Sequence, residues 1–231
     1  MRKTNAGVGL SSLFLIALLP AVTGLAHADT VISTIPSWDG FGFVLPFGAP
    51  DTETYGQIIT VPSTDPVLES WTFYMKQDTA TQFQGEVYAW NGTMATGPGL
   101  FESAVMTTTN AYVFQPITFN TGGLALTPGQ MYVLFASSSK GNQSSTGHGE
   151  WGSIPHSNAY AGGAFAFINN GADPSEWTSD PWSTFGNTDL AFKADFDSPA
   201  AVPEPPAQML SATILFAMFV VTRLGRKAAT R

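Results

Sequence analysis

The sequence predicts an all-β protein whose body is a jelly-roll-like β-sandwich. Short apolar or alternating runs recur between Gly- and Pro-containing turns, which is the pattern of a protein built from many short strands. Of the 231 residues, 23 are glycine, 16 are proline and 13% are aromatic, whereas only 11% are charged. No amphipathic stretch of helical length lies between residues 29 and 199. These three observations favour a β-sandwich over a helical bundle.

The chain opens with a secretory signal peptide, residues 1–28. Arg2 and Lys3 supply the positive charge, residues 10–19 (LSSLFLIALL) form the apolar region, and Ala26 and Ala28 define an A-x-A cleavage site. The pattern predicts an N-terminal signal helix that signal peptidase removes after Ala28. We therefore expect an exported protein.

Residues 29–198 form the body, in which we expect eight or nine short strands. Strands are predicted at 55–62, 67–76, 83–90, 112–119, 131–136 and 189–196, and loops at 95–99 and 139–158. The run 131–136 (MYVLFA) is apolar on both faces, which predicts a central strand covered on both sides. The residues expected in the core are Trp71, Phe73, Phe119, Val133, Phe135, Phe192 and Phe196.

The last strand of the body alternates between apolar and mostly polar residues. Its inward residues should be Leu190, Phe192, Ala194 and Phe196, and its outward residues should be Asp189, Ala191, Lys193 and Asp195. This alternation indicates a half-buried strand.

Charge and cysteine content exclude several classes of protein. Residues 29–204 contain three basic and all seventeen acidic residues of the chain, a net charge of −14. Such a surface repels nucleic acid and anionic lipid headgroups, so we expect no nucleic-acid partner. The absence of cysteine excludes disulfides, a thiolate nucleophile and a Cys-ligated metal.

No catalytic residues are predicted, and we expect the protein not to be an enzyme. The two histidines of the body, His148 and His156, lie in a Gly- and Ser-rich stretch without HExxH spacing, and the sequence has no G-x-S-x-G motif. Glu69, Glu86 and Glu150 are carboxylates of the type that glycosidases use, but no motif accompanies them. We read Glu86 as a solvated residue on a strand face.

Four tryptophans are predicted to lie in loops: Trp38, Trp151, Trp177 and Trp182. Exposed aromatic faces stack on sugar rings, so these four residues are candidate glycan contacts. Alternatively, they cover the ends of the sandwich core.

An acidic loop, residues 171–182, is a candidate calcium site. Asp173, Glu176 and Asp180 lie close together in sequence with small residues between them, and calcium prefers oxygen ligands of this kind. EF-hand spacing is absent, and the same residues could instead cap turns.

Three segments follow the body. Residues 199–206 (PAAVPEPP) form a stiff Pro-rich linker. Residues 207–222 carry no charge and predict a C-terminal transmembrane helix of about 24 Å, short of the roughly 30 Å hydrocarbon core. Residues 223–231 contain four basic residues and should remain in the cytoplasm as a basic tail.

The succession of Val202-Pro203-Glu204-Pro205, a short apolar segment and an Arg-rich end resembles the PEP-CTERM sorting signal of bacteria that have outer membranes and exopolysaccharide. The resemblance implies that an exosortase, a membrane-embedded processing enzyme, recognises and cleaves the chain near this motif. It also implies only transient anchoring in the inner membrane, followed by release or transfer to the cell surface. Stretches 88–103, 117–135 and 189–196 resemble a domain of other PEP-CTERM proteins, which implies a fold and no activity.

Two functions remain open. The first is a non-enzymatic surface or extracellular-matrix protein, sorted by its tail and associated with exopolysaccharide. The alternative is a carbohydrate-binding module, with calcium as an optional cofactor. Solvent exposure of the tryptophans would separate the two.

Overall fold

The computed structural model describes residues 29–77, 80–108, 111–141 and 149–199. The predicted signal peptide, the sorting motif and the C-terminal segment lie outside these residues. Within the described part of the chain, no helix is long and apolar enough to cross a membrane.

The described residues form fourteen strands. In chain order these are β1 Thr30–Ser33, β2 Phe43–Phe47, β3 Thr54–Thr60, β4 Val67–Gln77, β5 Gln82–Trp90, β6 Ala95–Glu102, β7 Met106–Thr107, β8 Ala111–Ala125, β9 Met131–Ser137, β10 Gly149–Ile154, β11 Phe165–Ile168, β12 Ser183–Thr184, β13 Asp189–Leu190 and β14 Phe192–Asp197. A 3-10 turn, Ile35–Ser37, follows β1, and one short helix, α1 Glu176–Ser179, precedes β12.

The strands form two antiparallel sheets, as predicted for an all-β sandwich. In the first sheet β14 pairs with both β1 and β4, β10 pairs with β4 and β2, and β8 pairs with the other edge of β4. The second sheet has the order β12-β11-β3-β9-β5-β6, with β7 beside β5. The first and last strands of the body are therefore neighbours, with Thr30 opposite Phe196.

The main core lies between the two sheets and is rich in aromatic rings. On β4, Trp71 and Phe73 are fully buried, and Trp71 stacks on Phe119 of β8 with 4.7 Å between ring centroids. All seven residues predicted to be buried are at most 1% exposed. The alternation of apolar side chains therefore identified the inward faces of β4 and β14 correctly.

A second apolar cluster covers the outer face of the second sheet. Along β9, Leu134 and Ala136 point into the main core, whereas Val133 and Phe135 point into the second cluster. Trp177 of α1 and Trp182 cover Phe135, with ring centroids 5.0 and 5.2 Å away. This arrangement confirms the prediction of a central strand covered on both sides, and it explains why MYVLFA has no polar face.

Two predicted loops are in fact strands. Residues 95–99, which contain Gly97 and Pro98, belong to β6, an edge strand where a proline does not interrupt a ladder. Residues 149–154 form β10, and there Gly152 is required by packing, since a Cβ would lie 2.7 Å from the Trp38 ring. Glycine and proline in the first segment, and glycine and serine in the second, were wrongly interpreted as loop signals.

The last predicted strand is divided in two, and its outward face was predicted only in part. Asp189 and Ala191 are buried, whereas Lys193 is exposed and Asp195 is half-buried. The Asp189 carboxylate accepts hydrogen bonds from Gln57 Nε2 at 3.0 Å and from the backbone N–H of Tyr160 at 2.9 Å. A buried carboxylate with such donors is stabilised without contact with water.

Candidate functional site

An open polar cleft lies on the outer face of the second sheet. Because β5 alternates, Val87 enters the main core while Glu86 and Tyr88 point outward. Residues 99–102 of β6 form the opposite wall, and the cleft has a volume of about 340 Å³. Gly99 lies against Tyr88, since a Cβ there would be 2.9 Å from the phenol oxygen.

Lys140 joins the two carboxylates of this cleft. It lies in the turn after β9, and its Nζ is 2.8 Å from Glu86 Oε1 and 2.6 Å from Glu102 Oε2. The same ammonium group is 5.1 Å from the centroid of the Trp177 ring. Three distant segments and α1 therefore place one cation between two carboxylates and beside an aromatic ring.

The two carboxylates have opposite electrostatic environments. Burial raises the pKa of Glu86 to about 7, although the hydrogen bond and the charge of Lys140 act in the other direction. The pKa of Glu102 is lowered, first by its hydrogen bond from Lys140 and further by that from Gln84. The side chain of Glu86 is 2% exposed and that of Glu102 is 49% exposed. Glu102 is therefore the more accessible carboxylate of the two, although Gln84 and Lys140 each donate a hydrogen bond to one of its oxygens.

The cleft presents hydrogen-bonding groups of both kinds to a ligand. The Glu102 carboxylate accepts hydrogen bonds and the Lys140 ammonium group donates them, whereas the Trp177 ring beside Lys140 is buried. A retaining glycosidase also needs two carboxylates, but here the Lys140 ammonium group occupies the space between them. The geometry therefore differs from that of a retaining glycosidase.

Sequence reasoning missed most of this site. Glu86 was interpreted as a solvated strand residue, which is wrong, because its side chain is buried and paired with Lys140. Tyr88, Glu102 and Lys140 had no motif around them. The available signal was indirect: Lys140 is one of only three basic residues between Asp29 and Glu204.

The four tryptophans do not form one exposed set. Trp151 lies on β10, not in a loop, and is 1% exposed within the main core. Trp177 and Trp182 are 1% and 6% exposed and cover the second sheet. These three residues present no open face to a glycan. Trp38 alone among the four is half-buried, with its ring on the outer face of the first sheet.

The acidic loop shows turn capping. Asp173 Oδ1 accepts hydrogen bonds from the backbone N–H of Ser175 at 2.9 Å and from its hydroxyl at 2.6 Å. Asp180 Oδ1 accepts one from the hydroxyl of Ser179 at 3.0 Å. Among the described residues, no three His, Asp or Glu side chains are grouped so as to hold a metal ion. The structure therefore does not bring Asp173, Glu176 and Asp180 together as calcium ligands.

The remaining candidates are dispersed. Glu69 and Glu150 lie on the first sheet, away from the cleft on the second, and Glu150 pairs with Lys76 at 2.6 Å. His156 is exposed, with φ at 56°. His148, the signal cleavage site and the sorting motif Val202-Pro203-Glu204-Pro205 lie outside the described residues.

A scan against protein-family models finds no match for this chain, and a search of curated proteins finds no relative. Among solved structures, the chain resembles the cysteine protease and lectin-like domains of Cwp84, a surface layer associated protein of Clostridium difficile. The TM-score is 0.41 at 11% identity, over 64% of this chain. A second structure of this clostridial protease, after propeptide cleavage, gives a TM-score of 0.44 at 14% identity, over 69% of this chain. The aligned parts span 33% and 38% of those two chains.

Proposed function

We propose that this chain is an exported surface or matrix protein that associates with exopolysaccharide and acts by binding, not by catalysis. Signal peptidase removes residues 1–28, and residues 207–222 anchor the chain transiently in the inner membrane. An exosortase-type enzyme then processes it at the Pro-rich linker. The body finally resides at the cell surface or outside the cell.

The observation that carries this proposal is the order of features after the body. A rigid Pro-rich linker, a marginal apolar span and a basic end follow one another within residues 199–231. A short temporary anchor of this type serves as a handle for a processing enzyme. The body contributes a folded unit whose large aromatic side chains are mostly internal.

Sorting is tested by replacing Pro203, Glu204 and Pro205 together with alanine in the producing cell. We expect the variant to remain full-length in the inner-membrane fraction on immunoblots, whereas the wild type yields a shorter surface or secreted product. Pro199→Ala, which alters the linker and leaves the motif intact, is the control. Release of the triple variant at the wild-type rate would refute the sorting proposal.

A carbohydrate-binding module is the second candidate, and the cleft of Glu86, Tyr88, Glu102 and Lys140 supports it. The ion-pair network leaves hydrogen-bonding capacity on the exposed Glu102 carboxylate. A cleft of about 340 Å³ has room for one or two sugar rings. Calcium has no part in this proposal, because no three metal-binding side chains are grouped within the described part of the chain.

A glycan array probed with the full chain, purified in a neutral detergent, tests the cleft. Lys140→Met should weaken any selective binding at least tenfold, because it removes a donor and releases both carboxylates. Lys193→Met is the matched control, since Lys193 forms an exposed 2.7 Å ion pair with Asp195 on another sheet. If Lys140→Met and Lys193→Met lose glycan binding equally, the cleft is not the binding site.

A further inference from the structure

Four aromatic side chains cover part of the outer face of the first sheet. We name them the aromatic face; they are Trp38, Phe43, Tyr74 and Phe114, and the exposed rings of Phe41 and Tyr112 flank them in sequence. Phe41 is 79% exposed, Phe43 is 44% exposed and Tyr112 is 88% exposed. So many exposed rings in one region mark a surface that meets another molecule.

The topology of the first sheet brings these rings together. Strands β2, β10, β4 and β8 are neighbours in that order. On β4, Tyr74 and Lys76 alternate with the buried Phe73 and Met75, so they point to the outer face. Lys76 Nζ lies 5.5 Å from the Phe43 ring on β2 and 5.1 Å from the Phe114 ring on β8.

Trp38 is held rigidly at the centre of the face. Its ring centroid is 5.2 Å from that of Tyr74 and 5.1 Å from that of Phe114. Its Nε1 donates a hydrogen bond of 2.9 Å to the carbonyl of Gly42. Asp39 Oδ1 fixes the same loop by accepting the backbone N–H groups of Phe41 and Gly42, each at 2.8 Å. A ring fixed in this way loses little entropy when a ligand stacks on it.

The charge of the region restricts what can bind there. Lys76 is paired with Glu150 at 2.6 Å, and the exposed Asp39 carboxylate leaves the region slightly negative, as is the whole of residues 29–204 with its charge of −14. An acidic polymer would be repelled by the body as a whole. A second copy of the chain would bring the same negative charge. The electrostatics therefore favour an uncharged occupant.

The dimensions of the face favour a polymer over a single sugar. Phe43 on β2 and Phe114 on β8 lie on either side of Lys76 Nζ, at 5.5 and 5.1 Å, so their ring centroids are at most about 11 Å apart. Rings at both ends and Trp38 between them could each contact a different residue of one chain.

We propose that the aromatic face binds an uncharged polysaccharide chain by stacking its sugar rings on Trp38, Phe114 and the neighbouring aromatic side chains. The inference rests on the proposed association with exopolysaccharide and names the class of polymer and the surface that holds it. The site is separate from the polar cleft, because the two lie on different sheets.

Affinity gel electrophoresis of the full chain in a neutral detergent tests the inference. The gels contain hydroxyethyl cellulose, mixed-linkage β-glucan or the polyanion alginate. We expect retardation by a neutral polymer and none by alginate. The double variant Trp38→Ala/Phe114→Ala should bind at least about tenfold more weakly, because it removes two stacking rings.

Two further variants separate loss of binding from loss of folding. Tyr112→Ala removes a ring that is 88% exposed, so it should weaken binding about threefold or more without altering the melting temperature. Phe185→Ala removes a ring that is 50% exposed but lies outside the face, so its binding should equal that of the wild type.

Three results would overturn the inference. These are retardation only by alginate, no retardation by either neutral polymer, and a loss of binding in Phe185→Ala equal to that in Trp38→Ala/Phe114→Ala. Dimerisation through the face in analytical ultracentrifugation, abolished by Tyr112→Ala, would overturn it in favour of a second copy as the occupant. Correct sorting with no polymer binding would leave the sorting proposal standing. Binding at the face with failed sorting would refute the sorting proposal alone.

Discussion

Glu86 shows how a single buried carboxylate links stability to pH. Its pKa is raised by burial from 4.5 to about 7, so the folded protein holds a proton that the unfolded chain releases between these values. The stability that it contributes is therefore complete below pH 4.5 and is lost as the pH rises through about 7.

Comparison with Glu86→Gln isolates this effect. The unfolding free energy of the wild type minus that of the variant should fall by about 1–2 kcal/mol between pH 4.5 and 8. Lys140 opposes this fall, because its hydrogen bond and its charge favour the ionised form of Glu86. Urea unfolding across this pH range measures it. If the unfolding free energy of the wild type minus that of Glu86→Gln rises with pH, the attraction of Lys140 outweighs the cost of burial.

Gly163 is a residue for which no side chain has room. A Cβ at this position would lie 1.7 Å from the carbonyl oxygen of Ile58 in β3, which is backbone and cannot rotate away. We expect Gly163→Ala to destabilise the fold by about 2 kcal/mol or more. Gly186→Ala is the control, because a Cβ there meets nothing within 4 Å. Equal urea midpoints for the two variants would contradict the close approach.

At the level of the strand, Phe192 of β14 tests the packing of the main core. Its side chain is fully buried and its ring centroid is 5.7 Å from that of Tyr160. Phe192→Ala should cost about 3–5 kcal/mol, because it leaves a cavity between the sheets. Guanidinium unfolding should show this as a lower midpoint with an unchanged slope. Phe185→Ala is the control, because it removes a ring that is only half-buried. A loss of less than about 1 kcal/mol of unfolding free energy in Phe192→Ala would contradict the packing.

The sequence predicted both a strand and its buried face only where the pattern of side chains reflects the surroundings of that strand. β4, β9 and β14 were identifiable because alternation or continuous apolarity reflects one or two covered faces. β6 and β10 were not, since Gly97, Pro98 and Gly152 resemble turn residues and are placed by neighbouring strands. The polar cleft was not predictable for a related reason: Lys140 meets Glu86 across 54 residues of sequence. Trp38 was predicted as a candidate glycan contact because it is a tryptophan. Its contacts with Tyr74 and Phe114 could not be predicted, because they depend on the order of the strands.

At the level of the whole molecule, the acidic charge should make stability depend on salt. Residues 29–204 carry −14, and these charges repel one another in the folded state. Raising NaCl from about 10 to about 150 mM shortens the screening length from roughly 30 to roughly 8 Å. We expect the melting temperature to rise by about 2–4 °C.

Calcium should act only through the same screening. At equal ionic strength, calcium and magnesium should give the same melting temperature, because the described residues contain no group of three metal-binding side chains. Differential scanning calorimetry measures both effects. A rise specific to calcium, removed by Asp173→Asn with Asp180→Asn, would restore the acidic loop as a calcium site.

The pairing of the last strand with β4 gives the body a direction of mechanical strength. Tension applied at the Pro-rich linker, while a polymer holds the aromatic face, enters β14 at its end and passes sideways into β4, which carries Tyr74 and Lys76. The six residue pairs between these strands are then loaded in shear. Their hydrogen bonds must break together and not in succession, so rupture requires a larger force. If the proposed attachments at the linker and at the aromatic face both form, the body is strongest along the line between them.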